Sequence, residues 1–220
     1  NRLATLGQIT AGLGHEIRQP LAAMRVFAEN GERLLAADRV EEAATNFARI
    51  AGLAGRIGEI TEEQLFFSRR SAEEPRLVTL AEVIDGSLLL LHDQMRQKGL
   101  TLERPAAELA ASSVRARHVQ LEQVLVNLLQ NAVQACAQSG HIVLTIAADG
   151  ARVRLSVTDS GPGVPPEVRD TLFQPFVTSK PEGIGLGLAI SRDIMRQLGG
   201  DLLHEDAARG ARFTMVMPAA

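Results

Sequence analysis

His15 sits in the run Gly14-His15-Glu16-Ile17-Arg18-Gln19-Pro20-Leu21. Its helix carries an apolar stripe of Leu6, Ile9, Leu13, Ile17, Leu21, Met24 and Ala28, at spacings of three and four. At roughly 100° per residue the imidazole points away from that stripe and shares its face with Ala11, Arg18, Gln19 and Ala22. A core histidine would lie on the stripe, so two readings remain: a solvated surface histidine, or a nucleophile. The second suits the chemistry, because a neutral imidazole has a pKa near ~6.5 and is largely unprotonated at neutral pH. The alanines leave room for a bulky incoming group. Glu16 could hold the other ring nitrogen and accept its proton. Residues i and i+1 do not face each other squarely on a helix, so the glutamate must reach around. Pro20 removes a backbone hydrogen bond and should kink the helix, as a packing accommodation or as a hinge for bending.

A second group is rich in glycine. Asp159-Ser160-Gly161-Pro162-Gly163-Val164-Pro165 follows an extended segment. It is a turn by composition, and also a place where a carboxylate could accept from an adenine amino group while flexible backbone approaches the ring. Gly183-Ile184-Gly185-Leu186-Gly187-Leu188-Ala189 opens a helix. Alternating glycines there expose N–H groups beside a positive helix end, which suits phosphate. A dinucleotide fingerprint is excluded by context, since no strand feeds this loop and no βαβ unit follows. Asn127 and Asn131 lie four apart and flank the apolar stripe of Leu121, Val124, Leu125, Leu128 and Ala132. They are either structural amides or donors of carbonyl oxygen to Mg²⁺. Between the glycine runs, Leu172–Pro181 has aromatics, prolines and no clear period, as a mobile flap would. Lys180 within it is a solvated lysine or a point charge for a terminal phosphate.

The elements that must position these residues fall into two textures. Residues 2 to about 70 read as two long helices, the second striped by Ala43, Phe47, Ile50, Ala54, Ile57, Thr61 and Leu65. Ala36–Val40 is a short connection suited to an antiparallel hairpin. Two narrow stripes cannot enclose a core, so pairing of two hairpins into a four-helix bundle, and hence a homodimer, is expected. Residues 71–77 are polar, contain a proline and read as a linker. Beyond it, helices are expected over Leu80–Gln97, His118–Gln138 and Leu186–Leu198, with a short helix after the Asp159–Pro165 run. Strands are expected over Leu100–Glu103, Val114–Arg117, Ile142–Ala147, Val153–Asp159, Asp201–His204 and Ala211–Met217. Asp149-Gly150 is a hairpin turn signal. The boundaries are 1–72 for the hairpin domain and 73–220 for an α/β layer domain, giving α+β in all.

Composition excludes several classes. A net charge of −3 offers no basic excess for nucleic acid, and seven Phe without Trp or Tyr argue against base-stacking platforms. The single cysteine, Cys136, rules out an internal disulfide and a thiolate metal site. No apolar run approaches the ~18–20 residues of a membrane span, and no signal peptide opens the chain. The chain therefore reads as a piece of a longer protein, with any membrane segment elsewhere.

The order of the motifs is more specific than any one of them. His-Glu-x-x-x-Pro-Leu is followed by Asn-Leu-Leu-x-Asn-Ala, Asp-x-Gly-x-Gly, Phe-x-Pro-Phe, Gly-x-Gly-Leu-Gly-Leu and a final Gly-x-x-Phe. This resembles the H, N, G1, F, G2 and final glycine boxes of two-component sensor histidine kinases, over nearly the whole chain. The Gln-Pro-Leu-Ala-Ala-Met-Arg run and the short flap Thr178–Pro181 are most similar to the nitrogen-regulatory and C4-dicarboxylate-sensing branch. The resemblance implies a dimerising phosphotransfer hairpin and a GHKL-type α/β sandwich, the ATP-binding fold shared with gyrase and MutL. It implies transfer of the ATP γ-phosphate to His15 and then to an aspartate of a response regulator receiver domain, in the cytoplasm. Carried over by position, Asn131 would ligate Mg²⁺ with Asn127 nearby, and Asp159 would bind adenine. Gly161, Gly163, Gly183, Gly185, Gly187 and Leu188 would shape the pocket, Lys180 would touch phosphate, and Gly210 would approach from the last strands. Two departures stand out. Gln19 occupies the position where many relatives use Asn or Thr to hold a water for regulator dephosphorylation. Ala116-Arg117 replaces a Gly-Asp pair common before the N-box helix. The competing readings are another enzyme class on the same ATP fold, such as a conformational ATPase, and a non-catalytic dimeric scaffold.

Overall fold

Apolar residues at helical spacing organise the first part of the chain, and short alternating segments the second. In the computed structural model the described residues are 20–68, 74–178 and 185–220, excluding the side chains of 56 and 58–68. His15, Glu16, Gln19, Lys180 and Gly183 lie outside them, as do the first four members of the N-terminal stripe. Two compact units divide the chain, Asn1–Arg70 and Ser71–Ala220.

In the first unit helix α1 covers 20–36 and helix α2 covers Val40–Ser68. The turn between them closes when the Arg39 N–H donates to the Leu34 carbonyl (2.9 Å), with Asp38 in the left-handed region at φ 60°. Glu41 and Glu42 lie in the first turn of α2, where the helix dipole favours negative charge. Arg39 Nε donates to Glu42 Oε1 at 2.6 Å. The helices approach closely at Gly31, where an added Cβ would meet the Phe47 ring at 3.5 Å and Asn46 Cβ at 3.9 Å. Ala43, one turn before Phe47, is fully buried. Leu21 and Phe47 belong to the two stripes, yet they keep 50% and 47% of their surface exposed in the single chain. The kink expected at Pro20 falls on the first described residue, so the backbone before it lies outside the description.

The second unit begins with a correction. The segment read as a linker is partly strand: β1, Arg76–Thr79, pairs antiparallel with β3, Ser113–Ala116. Val78 and Val114 face each other and are both buried, which fixes a pairing too short to show alternation in the sequence. Thr79 then caps helix α3, Leu80–Gln97, its Oγ1 accepting from the Glu82 N–H at 3.3 Å. Strand β2 is Thr101–Glu103, and a one-turn helix α4, Ala107–Ala110, was not foreseen. Helix α5, His118–Ala135, ends three residues earlier than expected. Cys136 turns extended (φ −69°, ψ 137°), and Lys98 Nζ donates to the carbonyls of Val133 (2.8 Å) and Cys136 (3.2 Å). A cation capping those carbonyls satisfies the helix end where a longer helix would have continued.

Strands β4, His141–Ala148, and β5, Arg152–Asp159, form the expected hairpin. Gly150 takes φ 85° and Asp149 Oδ1 accepts from the Arg152 N–H at 2.8 Å. After helix α6, Pro166–Arg169, and helix α7, Gly187–Gln197, strands β6, Asp201–Glu205, and β7, Arg212–Pro218, complete a five-stranded sheet in the order β2-β4-β5-β7-β6. Only β2–β4 is parallel. Alternation along β5 sends Val153, Leu155 and Val157 into one core with Leu80, Ile84, Leu121, Leu125 and Leu128 from α3 and α5. The other face is polar and self-satisfied. Ser156 Oγ and Thr214 Oγ1 lie 2.9 Å apart in register, Thr214 donates to Glu205 Oε2 at 2.6 Å, and Arg154 pairs with Glu205.

Helix α7 is locked to β6 by charge. Arg192 donates to both oxygens of Asp201 (2.8 and 3.1 Å), Arg196 adds a contact at 3.3 Å, and Leu202 N–H donates to Oδ1 at 2.9 Å. The Arg192 hydrogen bond is the main reason the Asp201 carboxyl is pulled down to a pKa of about 2, against some cost from burial. A folded pKa below the unfolded one stabilises above the unfolded value and is lost as pH falls through the folded one. Asp201→Asn should therefore cost about 1 kcal/mol near neutrality, after discounting for solvent screening. That difference should close as pH falls from about 4 toward about 2. Urea denaturation of both proteins across that range measures it; a pH-independent difference would contradict this.

Candidate nucleotide site

The end of β5 and the β6–β7 loop meet at one tight backbone junction. Asp159 is 6% exposed, and its Oδ1 accepts from the N–H groups of Gly161 (2.8 Å) and Ala211 (3.3 Å). Gly210 has φ 75°, and a Cβ there would lie 1.7 Å from the Asp159 carbonyl oxygen. Gly163 has φ 81°, and its Cβ would come within 2.9 Å of the Gly210 carbonyl. At Gly161 a Cβ would meet the Ala135 carbonyl, at the end of α5, at 2.9 Å. Gly161 and Gly210 are thus required by packing around Asp159, and Gly163 by packing on Gly210 in turn. Arg169 holds the outside of the junction, donating to the Val164 carbonyl (3.1 Å) and to Asp206 (3.4 Å).

The second pole is where α5 meets α7. Leu186 caps α7 without a side-chain hydrogen bond, so its first-turn N–H groups have no capping side chain. Asn127 lies against that turn: a Cβ on Gly187 would be 2.5 Å from its Oδ1, and its Nδ2 donates to Ser191 Oγ at 2.9 Å. Asn131 is half-buried one turn further along the same face of α5. Leu188 is half-buried against the core, so what it offers at this pole is its backbone N–H. Gly185, at φ 73°, presses on the Phe176–Val177 backbone, since a Cβ would meet the Val177 carbonyl at 2.6 Å. The Phe176 N–H donates to the Gly185 carbonyl at 2.9 Å, and Arg192 lies 4.6 Å over the Phe173 ring.

The structure therefore gathers the expected residues into two clusters: Asp159, Gly161, Gly163 and Gly210, and Asn127 with Gly187. Sequence reasoning missed Ser191, Arg169 and the Ala135 carbonyl. Ser191 had a signal, a hydroxyl four residues after Gly187 on the same helix. Among the described residues no group of three or more His, Cys, Asp or Glu could hold a metal ion. A hard cation bound chiefly through phosphate oxygens and water needs only one or two protein oxygens, and amide carbonyls beside an anion-attracting helix end fit that need.

Comparison with known proteins matches this arrangement to two domain families. Residues 5–73 match the His Kinase A (phospho-acceptor) domain, and residues 116–220 match the histidine kinase-, DNA gyrase B-, and HSP90-like ATPase domain. The chain belongs to the sensor histidine kinases. This kinase core is 40% identical to the C4-dicarboxylate transport sensor protein DctB of Rhizobium meliloti, over 98% of the chain and 35% of that protein. It is 34% identical to the sensor histidine kinase ZraS of Escherichia coli K12, over 99% of the chain and 46% of that protein. The chain thus spans less than half the length of these curated relatives. Among solved structures, the catalytic domain of histidine kinase ThkA is 33% identical with a TM-score of 0.62, over 66% of this chain and 96% of that one. ThkA in complex with the response regulator protein TrrA gives a TM-score of 0.73 at 29% identity, over 100% of this chain and 63% of that one. The expected fold, hairpin plus GHKL-type sandwich, and the resemblance to sensor histidine kinases, C4-dicarboxylate sensors among them, are borne out. No helix among the described residues is long and apolar enough to cross a membrane.

Proposed function

We propose that this chain is the autophosphorylating core of a sensor kinase, moving the γ-phosphoryl of ATP to His15 and on to an aspartate of a receiver domain. The carrying observation is the contact of the Asn127 amide with the uncapped first turn of α7 at Gly187. It sets carbonyl oxygen beside N–H groups that attract phosphate. Asp159 at the opposite junction would receive the adenine amino group, with Gly161, Gly163 and Gly210 letting the ring approach. Mg²⁺, ligated by Asn131 with Asn127 beside it, would screen charge on the transferring phosphoryl. Lys180, Gly183 and Gly185 would close over the phosphates.

In the transfer a P–N bond forms at the His15 imidazole as the bond to the ADP oxygen breaks, and the other ring nitrogen sheds its proton toward Glu16. The protein's task is positioning and charge neutralisation. Gln19, one turn beyond His15, would orient a water for the reverse task of regulator dephosphorylation. The hairpin occupies 1–72 and the catalytic domain 73–220. The half-exposed Leu21 and Phe47 support a second hairpin packing on the first, hence a homodimer. The complex of the related ThkA with TrrA supports a receiver domain as partner. The chain acts in the cytoplasm, with any membrane segment outside it.

This reading separates from a conformational ATPase by stoichiometry. With Mg-ATP and no regulator, ADP formation should stop near one per chain, matched by protein-bound phosphate. Sustained release of free phosphate with no bound label would overturn it.

A further inference from the structure

We propose that Ser191 is a positioning residue that decides which end of the Asn127 amide faces the metal-phosphate pole. The inference rests on the nucleotide reading above and adds a residue to it. An amide has two ends of nearly equal shape and opposite polarity, so only its hydrogen bonds choose between them. Here Nδ2 donates to Ser191 Oγ at 2.9 Å, and Oδ1 is left beside the first turn of α7, 2.5 Å from where a Gly187 Cβ would be.

Ser191 suits this task. It is 3% exposed, so water does not compete for its oxygen. It sits four residues after Gly187 in α7, where a helical serine commonly gives its own proton to the carbonyl one turn back, keeping Oγ as an acceptor. Gly187 has no side chain to push the amide aside, since any Cβ would collide with Oδ1. One helix therefore supplies the phosphate-facing turn, the space for the amide and the acceptor that orients it. Reversal of the amide would aim two N–H donors at a cation, which repels it. Partners that orient a metal-site oxygen commonly change metal affinity by roughly 10–100-fold.

The test is calorimetric titration with a non-hydrolysable ATP analogue, in Mg²⁺ and in EDTA, with melting curves as a fold control. Ser191→Ala should lower the magnesium-dependent gain in affinity about tenfold. Ser191→Thr, which keeps the hydroxyl, should restore most of it. In an Asn127→Asp background the two carboxylate oxygens are equivalent, so adding Ser191→Ala should change nothing further. Equal losses with and without Mg²⁺, or the same loss in both backgrounds, would show a merely structural serine and overturn the inference alone. A wild-type chain that binds the analogue in neither condition would overturn the nucleotide reading and this inference together.

Discussion

Asp159→Asn should weaken ATP binding on the order of a hundredfold while the catalytic domain stays folded. The substitution is isosteric. One oxygen remains to accept from the Gly161 and Ala211 N–H groups, the bonds that hold the junction at 2.8 and 3.3 Å. The other oxygen becomes an NH₂ group, a donor where the adenine amino group is itself a donor. Two donors facing each other in a site with 6% exposure forfeit the hydrogen bond and leave both groups desolvated. Preference for ATP over GTP should shrink as well, because guanine carries an acceptor at the corresponding ring position. Calorimetric titration with both nucleotides checks this. Unchanged ATP affinity would place the base elsewhere and leave Asp159 as a structural carboxylate.

The strength of this expectation comes from how the junction is built. Asp159, Gly161 and Gly163 belong to one run, and the sequence does not show that Gly210, far along the chain, joins them. Each glycine was legible as a site of backbone freedom. Their mutual contact was not, because it depends on β5 and β7 pairing in a register that brings Ala211 opposite the end of β5. Long periodic elements were legible for a simpler reason: α3 and the β4–β5 hairpin bury one face against a single core, so their pattern repeats along the chain. Strand β1 and helix α4 were not, since four residues cannot display a period. The overlong reading of α5 ignored Lys98, which comes from another element and ends the helix by capping it. For Ser191 the sequence carried the hydroxyl four residues after Gly187 but not its partner, since Asn127 lies sixty-four residues away.

The hairpin was legible in pattern, and its chemistry rests on one residue. The sequence periodicity sets His15 off the apolar stripe, and the residue falls within the matched phospho-acceptor domain at residues 5–73. Replacing it should have the largest effect of any change in the chain, because the proposed transfer runs through its imidazole. Glutamine keeps the polarity and length of the side chain but is not nucleophilic. His15→Gln should therefore abolish phosphoryl uptake, a loss of at least about a thousandfold by comparison with other removed nucleophiles. Nucleotide binding by the variant verifies that its catalytic domain is folded.

The most direct measurement is to incubate both proteins with Mg²⁺ and γ-labelled ATP and to treat the labelled chain with acid and with alkali. A phosphoramidate is lost in acid and survives alkali, whereas a phosphoserine behaves in the opposite way. Acid-labile, alkali-stable label on the wild-type chain, absent from His15→Gln, is the predicted result. Label that persists in His15→Gln, or that survives acid, would contradict the assignment of His15 as the phosphoacceptor.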